Sequence, residues 1–464
     1  MAKKKENQLV FEVNKDELNI VLDKNKPKKR SAKISDHLEF TSAKGNGKFN
    51  WLKLDNAGTI YPSSKNEHWT FVYRLSAIFK SEIDPEILQK SLDEILPRFP
   101  AFNVYLRRGI FWYYFEKNQT NLKVEKEVEF PCSNIKTSNK AHLIRVLYHK
   151  NRLSLEVFHA VSDGHGSTML FNSLIARYLE NLGVKLSSYE GCLNYLDLPT
   201  EEELEDSFYA NATQAKGKSH KEIRAYNIKG TVEAEGIVNV THAVMSVANV
   251  KEVAKKFNTK LTVFLASVFS YEILRRRKNS RLPVKISIPI DMRKEFNSVT
   301  TRNFSTYINI PVKDETLSFE DVIEIIKNGL ASVDRNFMQT NINSNVGLQK
   351  NIFIKLVPLS LKNIILNQSF NFLGEGLQTF AFSNLGAVKT PPEFSDYIER
   401  YEVNLGRSKH NSISVGLISF GDTLVVTISS KLAENTTERD CIRKLAELGV
   451  DVKVESNRRE VYGG

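Results

Sequence analysis

Leu153, Leu155 and Val157 alternate with Ser154 and Glu156, and the run continues Phe158-His159-Ala160-Val161-Ser162-Asp163-Gly164-His165-Gly166. Apolar residues at every second position specify a half-buried strand, because successive side chains leave a strand on opposite faces. That strand carries His159 at its C-terminal end, where a side chain can leave the sheet and meet a ligand. Gly164 and Gly166 then call for a turn, since they supply backbone freedom that other residues lack. A helix is predicted from Ser167: Leu170, Leu174 and Tyr178 share one face, and Gly183 lies just past its end. A histidine held on a rigid strand end, with an acid four residues on and a glycine beside it, suits a general base. The competing reading is an ordinary surface histidine.

At 464 residues the chain exceeds one ordinary core, so two domains are expected. A hydrophobic content of 41% with 10% aromatics supports packed cores rather than disorder. Lys and Arg outnumber Asp and Glu by 65 to 54, a net charge of +11. Much of the excess lies in the first fifty residues, in Lys3-Lys4-Lys5 and Lys26-Pro27-Lys28-Lys29-Arg30. Those runs read as a solvated tail, with attraction to acidic surfaces or an anionic cofactor as the sharper alternative. No aromatics are interleaved with basic residues in a repeat, so nucleic acid is not an expected partner.

Cys132, Cys192 and Cys441 are far apart and form no Cys-x-x-Cys, which fits buried thiols in a reducing compartment. The lysines after Met1 lead into Glu6-Asn7-Gln8 rather than an apolar run. The longest apolar stretch, Leu261 to Leu274, is too short to span a bilayer. A cytoplasmic protein with no transmembrane segment is expected.

Residues 1–50 form a basic, partly mobile N-terminal segment in this reading. Residues 51–200 make a first domain, 201–236 a crossover linker and 237–464 a second domain. In the first, Trp69 to Leu75 reads as a strand, and Asp84 caps a helix with Pro85 at its first position. Ile144 to Tyr148 pairs with the His159 strand as a hairpin turning at Lys150-Asn151. The acidic run Glu201 to Asp206 and the basic run Lys216 to Arg224 read as solvated. In the second, Val238 to Val247 is a strand, and Thr262 caps a helix running to Arg277. Val284 to Ile290 is a strand, and Ser318 caps another helix. Ser414 to Phe420 and Thr423 to Ser430 form a hairpin around Gly421-Asp422. Each half thus mixes strands and helices, an α/β (α+β) pattern.

Familiar sites fail one by one. Gly164-His165-Gly166 and Gly374-Glu375-Gly376 lack the third glycine of a dinucleotide fingerprint, and no phosphate-binding Gly-x-x-x-x-Gly-Lys-Ser/Thr loop occurs. His159 and His165 lack the His-Glu-x-x-His pattern and have no cysteine nearby, so no metal is expected. No Gly-x-Ser-x-Gly elbow is present, which argues against a serine-acyl intermediate.

Several segments then align in order: Leu54-Asp55-Asn56-Ala57-Gly58-Thr59-Ile60-Tyr61-Pro62, Arg98-Phe99-Pro100 and Gly109-Ile110-Phe111-Trp112-Tyr113-Tyr114. They are followed by Phe158-His159-Ala160-Val161-Ser162-Asp163-Gly164, Ile288-Pro289-Ile290-Asp291-Met292-Arg293, Thr301-Arg302-Asn303-Phe304 and Phe382-Ser383-Asn384-Leu385-Gly386. With these the chain resembles the CoA-dependent acyltransferase superfamily of chloramphenicol acetyltransferase, plant BAHD enzymes and peptide-synthetase condensation domains. Its bacterial alcohol acetyltransferase-like branch is the nearest in pattern. The resemblance covers residues 51 to about 455. Two departures stand out. Condensation domains carry paired histidines where Phe158 precedes His159 here, and the plant Asp-Phe-Gly-Trp-Gly box is missing. Both favour a free acyl acceptor.

The resemblance implies two chloramphenicol-acetyltransferase-like domains, each a mixed sheet with flanking helices, and an active-site channel between them. It implies that His159 of the His-x-x-x-Asp-Gly motif acts as general base. Acyl-CoA, acetyl-CoA in this branch's pattern, is then a co-substrate, with no permanently bound cofactor and a small alcohol or amine as acceptor. Asp163 and Gly164 would hold the histidine loop, Asp163 pairing with Arg293 rather than with the imidazole. Ser383, Asn384 and Asn303 are the candidates for substrate or oxyanion contact. Two alternatives remain open: condensation with substrates on a carrier protein supplied in trans, and a non-catalytic acyl-CoA-binding homologue.

Overall fold

Two mixed sheets, each with its own core, form the frame of the computed structural model. It describes residues 10–14, 17–21, 51–65, 69–137, 140–213, 222–277, 280–351, 356–364, 375–408 and 411–458. The expectation for residues 1–50 falls largely outside them; within that segment Val10–Asn14 pairs antiparallel with Glu17–Val21.

The first sheet has five strands in the order Ile398–Leu405, Val72–Phe79, Arg152–Phe158, Ile144–His149 and Val124–Lys126. The hairpin read from the sequence is present, with Ile144 opposite Val157 and His149 opposite Arg152. Lys150 takes a left-handed φ of 51° in its turn. Helices Pro85–Ile95 and Gly164–Asn181 pack together on this sheet, the first capped by Asp84 through the N–H groups of Glu86 and Ile87. Leu75, Leu155, Leu170, Leu174 and Tyr178 meet in the core they enclose. Trp51–Lys53, Tyr113–Lys117 and Val104–Arg108 make a separate three-stranded sheet.

The second sheet has seven strands: Ser305–Val312, Val284–Asp291, Phe380–Ala387, Ile413–Phe420, Thr423–Ser430, Asn239–Ser246 and Lys453–Ser456. Phe380–Ala387 runs parallel to both neighbours, and the remaining pairs are antiparallel. Helices Leu261–Arg276 and Phe319–Ala331 cover it, burying Phe264, Phe269, Val322 and Ile326. Ser318 caps the latter helix in a capping box with Asp321.

Several expectations are corrected. The helix after His159 begins at Gly164, with Asp163 as N-cap, rather than at Ser167. Gly164 and Gly166 therefore sit inside its first turn, and space rather than a positive φ explains them. Thr262 is not a cap, because the helix starts at Leu261 after Lys260; its hydroxyl instead accepts from Asn384. The acidic run is only partly solvated. Thr200 caps Glu201–Leu204, Asp206 caps Ser207–Asn211, and Glu203 takes a two-pronged bond from buried Arg98 at 2.6 and 2.7 Å. The basic run Lys216 to Arg224 lies largely outside the described residues. Finally, Ile398–Leu405 comes from the second half of the chain yet forms the edge of the first sheet, so the second half lends the first lobe a strand. Sequence patterning does not reveal this, since register between distant strands leaves no local signal.

Candidate active site

The Arg152–Phe158 strand ends one residue before His159, whose backbone N–H donates to the Phe71 carbonyl at 2.8 Å. Phe71 holds a left-handed φ of 51°, uncommon outside glycine, and so turns its carbonyl onto the histidine. The imidazole is half-buried. The Tyr61 ring stacks on it with centroids 4.8 Å apart and 21° between planes, and Tyr73 meets it edge-on at 5.0 Å. Burial between these rings lowers the imidazole pKa below its ordinary value, so the neutral form dominates at neutral pH.

His159 Nδ1 lies 3.1 Å from Oδ1 of Asn303, which precedes strand Ser305–Val312 of the second sheet. The imidazole therefore sits at the seam of the two lobes. Asn303 is itself held by Asp55, whose Oδ2 accepts from its backbone N–H at 3.3 Å and its Nδ2 at 3.1 Å. Asp55 is fully buried and also accepts from Gly58 N–H at 2.6 Å, with Arg302 Nε 3.7 Å away.

Asp163 turns away from the imidazole. Arg293 Nη2 stands 2.9 and 3.0 Å from its two oxygens, Phe304 N–H donates to Oδ2 at 2.9 Å and Gly166 N–H to Oδ1 at 3.2 Å. Burial would raise this carboxyl, but Arg293 and the two amides outweigh it and hold the pKa below the ordinary carboxylate value. The pairing is not fork against fork. One nitrogen of Arg293 straddles Asp163, Nη1 bonds Asp291 at 2.8 Å, and Nε and Nη2 donate to the carbonyls of Thr300 and Arg302. One guanidinium thus ties the histidine loop of the first lobe to the 300–304 loop of the second. A Cβ on Gly166 would stand 1.9 Å from the Thr301 carbonyl oxygen, so that contact admits only glycine. At Gly164 the nearest atom is the Leu385 Cδ2 side-chain tip.

The oxyanion candidates separate. Asn384 Nδ2 donates to Thr262 Oγ1 at 2.9 Å and its Oδ1 accepts from Gly386 N–H at 2.8 Å, which turns the amide toward the helix layer. Ser383 alternates with Asn384 and shares a strand face with Leu385, whose side chain reaches Gly164 beside the histidine. Asn303 touches the imidazole rather than an open space. Sequence reasoning missed Tyr61, Tyr73 and Asp55 as neighbours of His159. Tyr61 and Asp55 lie in the conspicuous Leu54 to Pro62 segment, which was the available signal, whereas Tyr73 is indistinguishable from a core strand residue.

The fold is shared with condensation domains and with a trichothecene acetyltransferase. Polyketide synthase associated protein 5 from Mycobacterium tuberculosis superposes with a TM-score of 0.55 at 13% identity, over 85% of this chain and 97% of that one. The trichothecene 15-O-acetyltransferase of Fusarium sporotrichioides gives 0.55 at 10% identity over 86% and 96%. The first condensation domain of the CDA synthetase gives 0.55 at 11% identity over 87% and 99%. No family model and no curated protein sequence matches the chain.

Proposed function

We propose that this protein is an acyltransferase that moves an acyl group from CoA to the hydroxyl or amine of a small acceptor in the cytoplasm. The observation that carries this reading is His159 itself: half-buried, neutral, held on a rigid strand end and bonded through Nδ1. Nε2 takes the acceptor's proton as its oxygen or nitrogen attacks the thioester carbonyl. A tetrahedral oxyanion forms; it collapses, the C–S bond breaks, and the imidazolium returns its proton to the departing CoA thiolate. Among the described residues no serine or cysteine is hydrogen-bonded to His159, and transfer is direct, without a covalent acyl-enzyme. Ser383, on the strand face shared with Leu385, is the candidate donor for the oxyanion. General base catalysis of this kind contributes about 10²–10⁴-fold.

Likeness to condensation domains supports a second reading, in which the acyl group or the acceptor arrives on a carrier protein in trans. The test is release of free CoA thiol across a panel of acyl-CoAs and alcohols or amines. Turnover with free CoA esters, lost in a folded His159→Ala protein, supports the first reading; turnover with carrier-bound substrate alone supports the second. A folded, fully active His159→Ala protein refutes both.

A further inference from the structure

We propose that Asp55 and Asn303 are positioning residues that fix the His159 imidazole as its Nδ1–H tautomer, leaving the Nε2 lone pair bare. The oxygen and nitrogen of an asparagine amide are told apart by their partners. On one side of the Asn303 amide stand two acceptors, Asp55 Oδ2 at 3.1 Å and the Ala160 carbonyl at 3.5 Å. The same Asp55 oxygen already accepts the Asn303 backbone N–H. That side must present Nδ2, so Oδ1 faces His159 Nδ1 across 3.1 Å. An amide oxygen only accepts, so Nδ1 carries the hydrogen.

The arrangement is hard to reverse. Flipping the amide would place its carbonyl against a carboxylate oxygen and a peptide oxygen, both acceptors, at a site where Asn303 is 2% and Asp55 0% exposed. An unmade hydrogen bond there costs more than one made is worth. Gly58 N–H and Arg302 hold Asp55 in turn, so its position is set independently of the histidine. Asp55 thus acts on His159 through Asn303, from across the lobe seam, while Asp163 serves the loop's shape. The titratable groups facing the ring are Tyr61 and Tyr73 at its faces, Asp163 on its own loop and Asp55 behind Asn303. The role in turnover rests on the acyl-transfer reading; the tautomer does not.

The experiment is nitrogen NMR of the full chain labelled with ¹⁵N-histidine, the His159 signals being those missing from His159→Ala. Wild type is expected to show a protonated Nδ1 and a pyridine-like Nε2. Asn303→Ala should convert this to a mixture of tautomers, and Asp55→Asn, which permits the flipped amide, should do the same to a lesser extent. In a thiol-release assay Asn303→Ala should lower kcat about 10–100-fold, as loss of a histidine's outer partner does elsewhere, with KM for the acyl donor little changed. A wild-type Nε2–H signal overturns the proposal, as does an Asn303→Ala protein whose tautomer is unchanged. The wild-type spectrum decides the tautomer and the two variants decide what fixes it, since the ring also bonds its own backbone; both read without turnover, so failure of the acyl-transfer reading is seen separately.

Discussion

A histidine acts as a base only while its free nitrogen is unprotonated, so its surroundings decide the pH range in which it works. Here burial is the largest influence and pushes the His159 pKa down, while a bond to its own backbone, the charge of Asp163, the bond to Asn303 and the charge of Asp55 pull the other way without overcoming it. Protonation therefore sets in at lower pH than for a free imidazole. The acid limb of kcat/KM is expected to fall below pH 6.5, and removing Asn303 should move it lower still, because a contact that favours the charged form is lost. A limb at or above 6.5 would show that the neighbouring carboxylates dominate instead. The residue itself was legible: His159 and its strand followed from alternation alone. Its partners were not, since Asn303 lies 144 positions away and Asp55 another 248 from Asn303.

The strand–loop–helix unit from Arg152 to Asn181 shows how tertiary contacts reverse local preference. In an isolated helix, alanine is favoured over glycine by about 1 kcal/mol. At Gly166 the added Cβ would collide with the Thr301 carbonyl and Ser162 Oγ, atoms of two loops that cannot easily retreat. Gly166→Ala is expected to be destabilising and to displace the histidine loop, whereas Gly164→Ala meets a movable Leu385 tip and should cost less. Denaturant midpoints for the two variants check the order; equal or reversed midpoints would contradict it.

Arg293→Ala strips the buried Asp163 carboxylate of its cation, and breaking such a pair typically costs about 3–5 kcal/mol. Asp163→Asn keeps an acceptor for only one of the Phe304 and Gly166 amides, which bond different oxygens, but Arg293 still pairs with Asp291 and no buried charge is left alone, so its loss should be smaller. An Arg293→Ala protein as stable as wild type would show that the pair is not what ties the loops together. The family resemblance implied that Asp163 and Arg293 belong together. It did not show that one guanidinium also gathers Asp291 and the carbonyls of Thr300 and Arg302.

At the scale of the molecule the lent strand matters most. Ile398–Leu405 pairs with Tyr73 to Phe79, and its buried Tyr401 and Val403 lie in the first core. Its sequence neighbours Phe380–Ala387 and Ile413–Phe420 belong to the second sheet. Arg400 on the same strand bonds Glu402 at 2.9 Å and Glu455 of the last strand at 2.6 Å. The first lobe is then incomplete without the second half of the chain. Residues 51–236 expressed alone would leave the Val72–Phe79 edge unpaired and its apolar face open, an invitation to aggregate. That fragment is expected to be insoluble or molten by circular dichroism and size-exclusion chromatography. A folded, monomeric fragment would show that the first sheet closes unaided.

By itself the sequence determined the local alternations: which stretches are strands, where Asp84 and Ser318 start helices, and that one strand ends on a histidine with Asp-Gly behind it. These follow from side-chain period and capping chemistry, both confined to a few neighbouring residues. Only the tertiary structure decided which strands share a sheet, which glycine meets a peptide oxygen, and which amide faces the imidazole. Those outcomes depend on contacts between residues distant in the chain, fixed by the packing of two cores against each other and written in no single stretch of it.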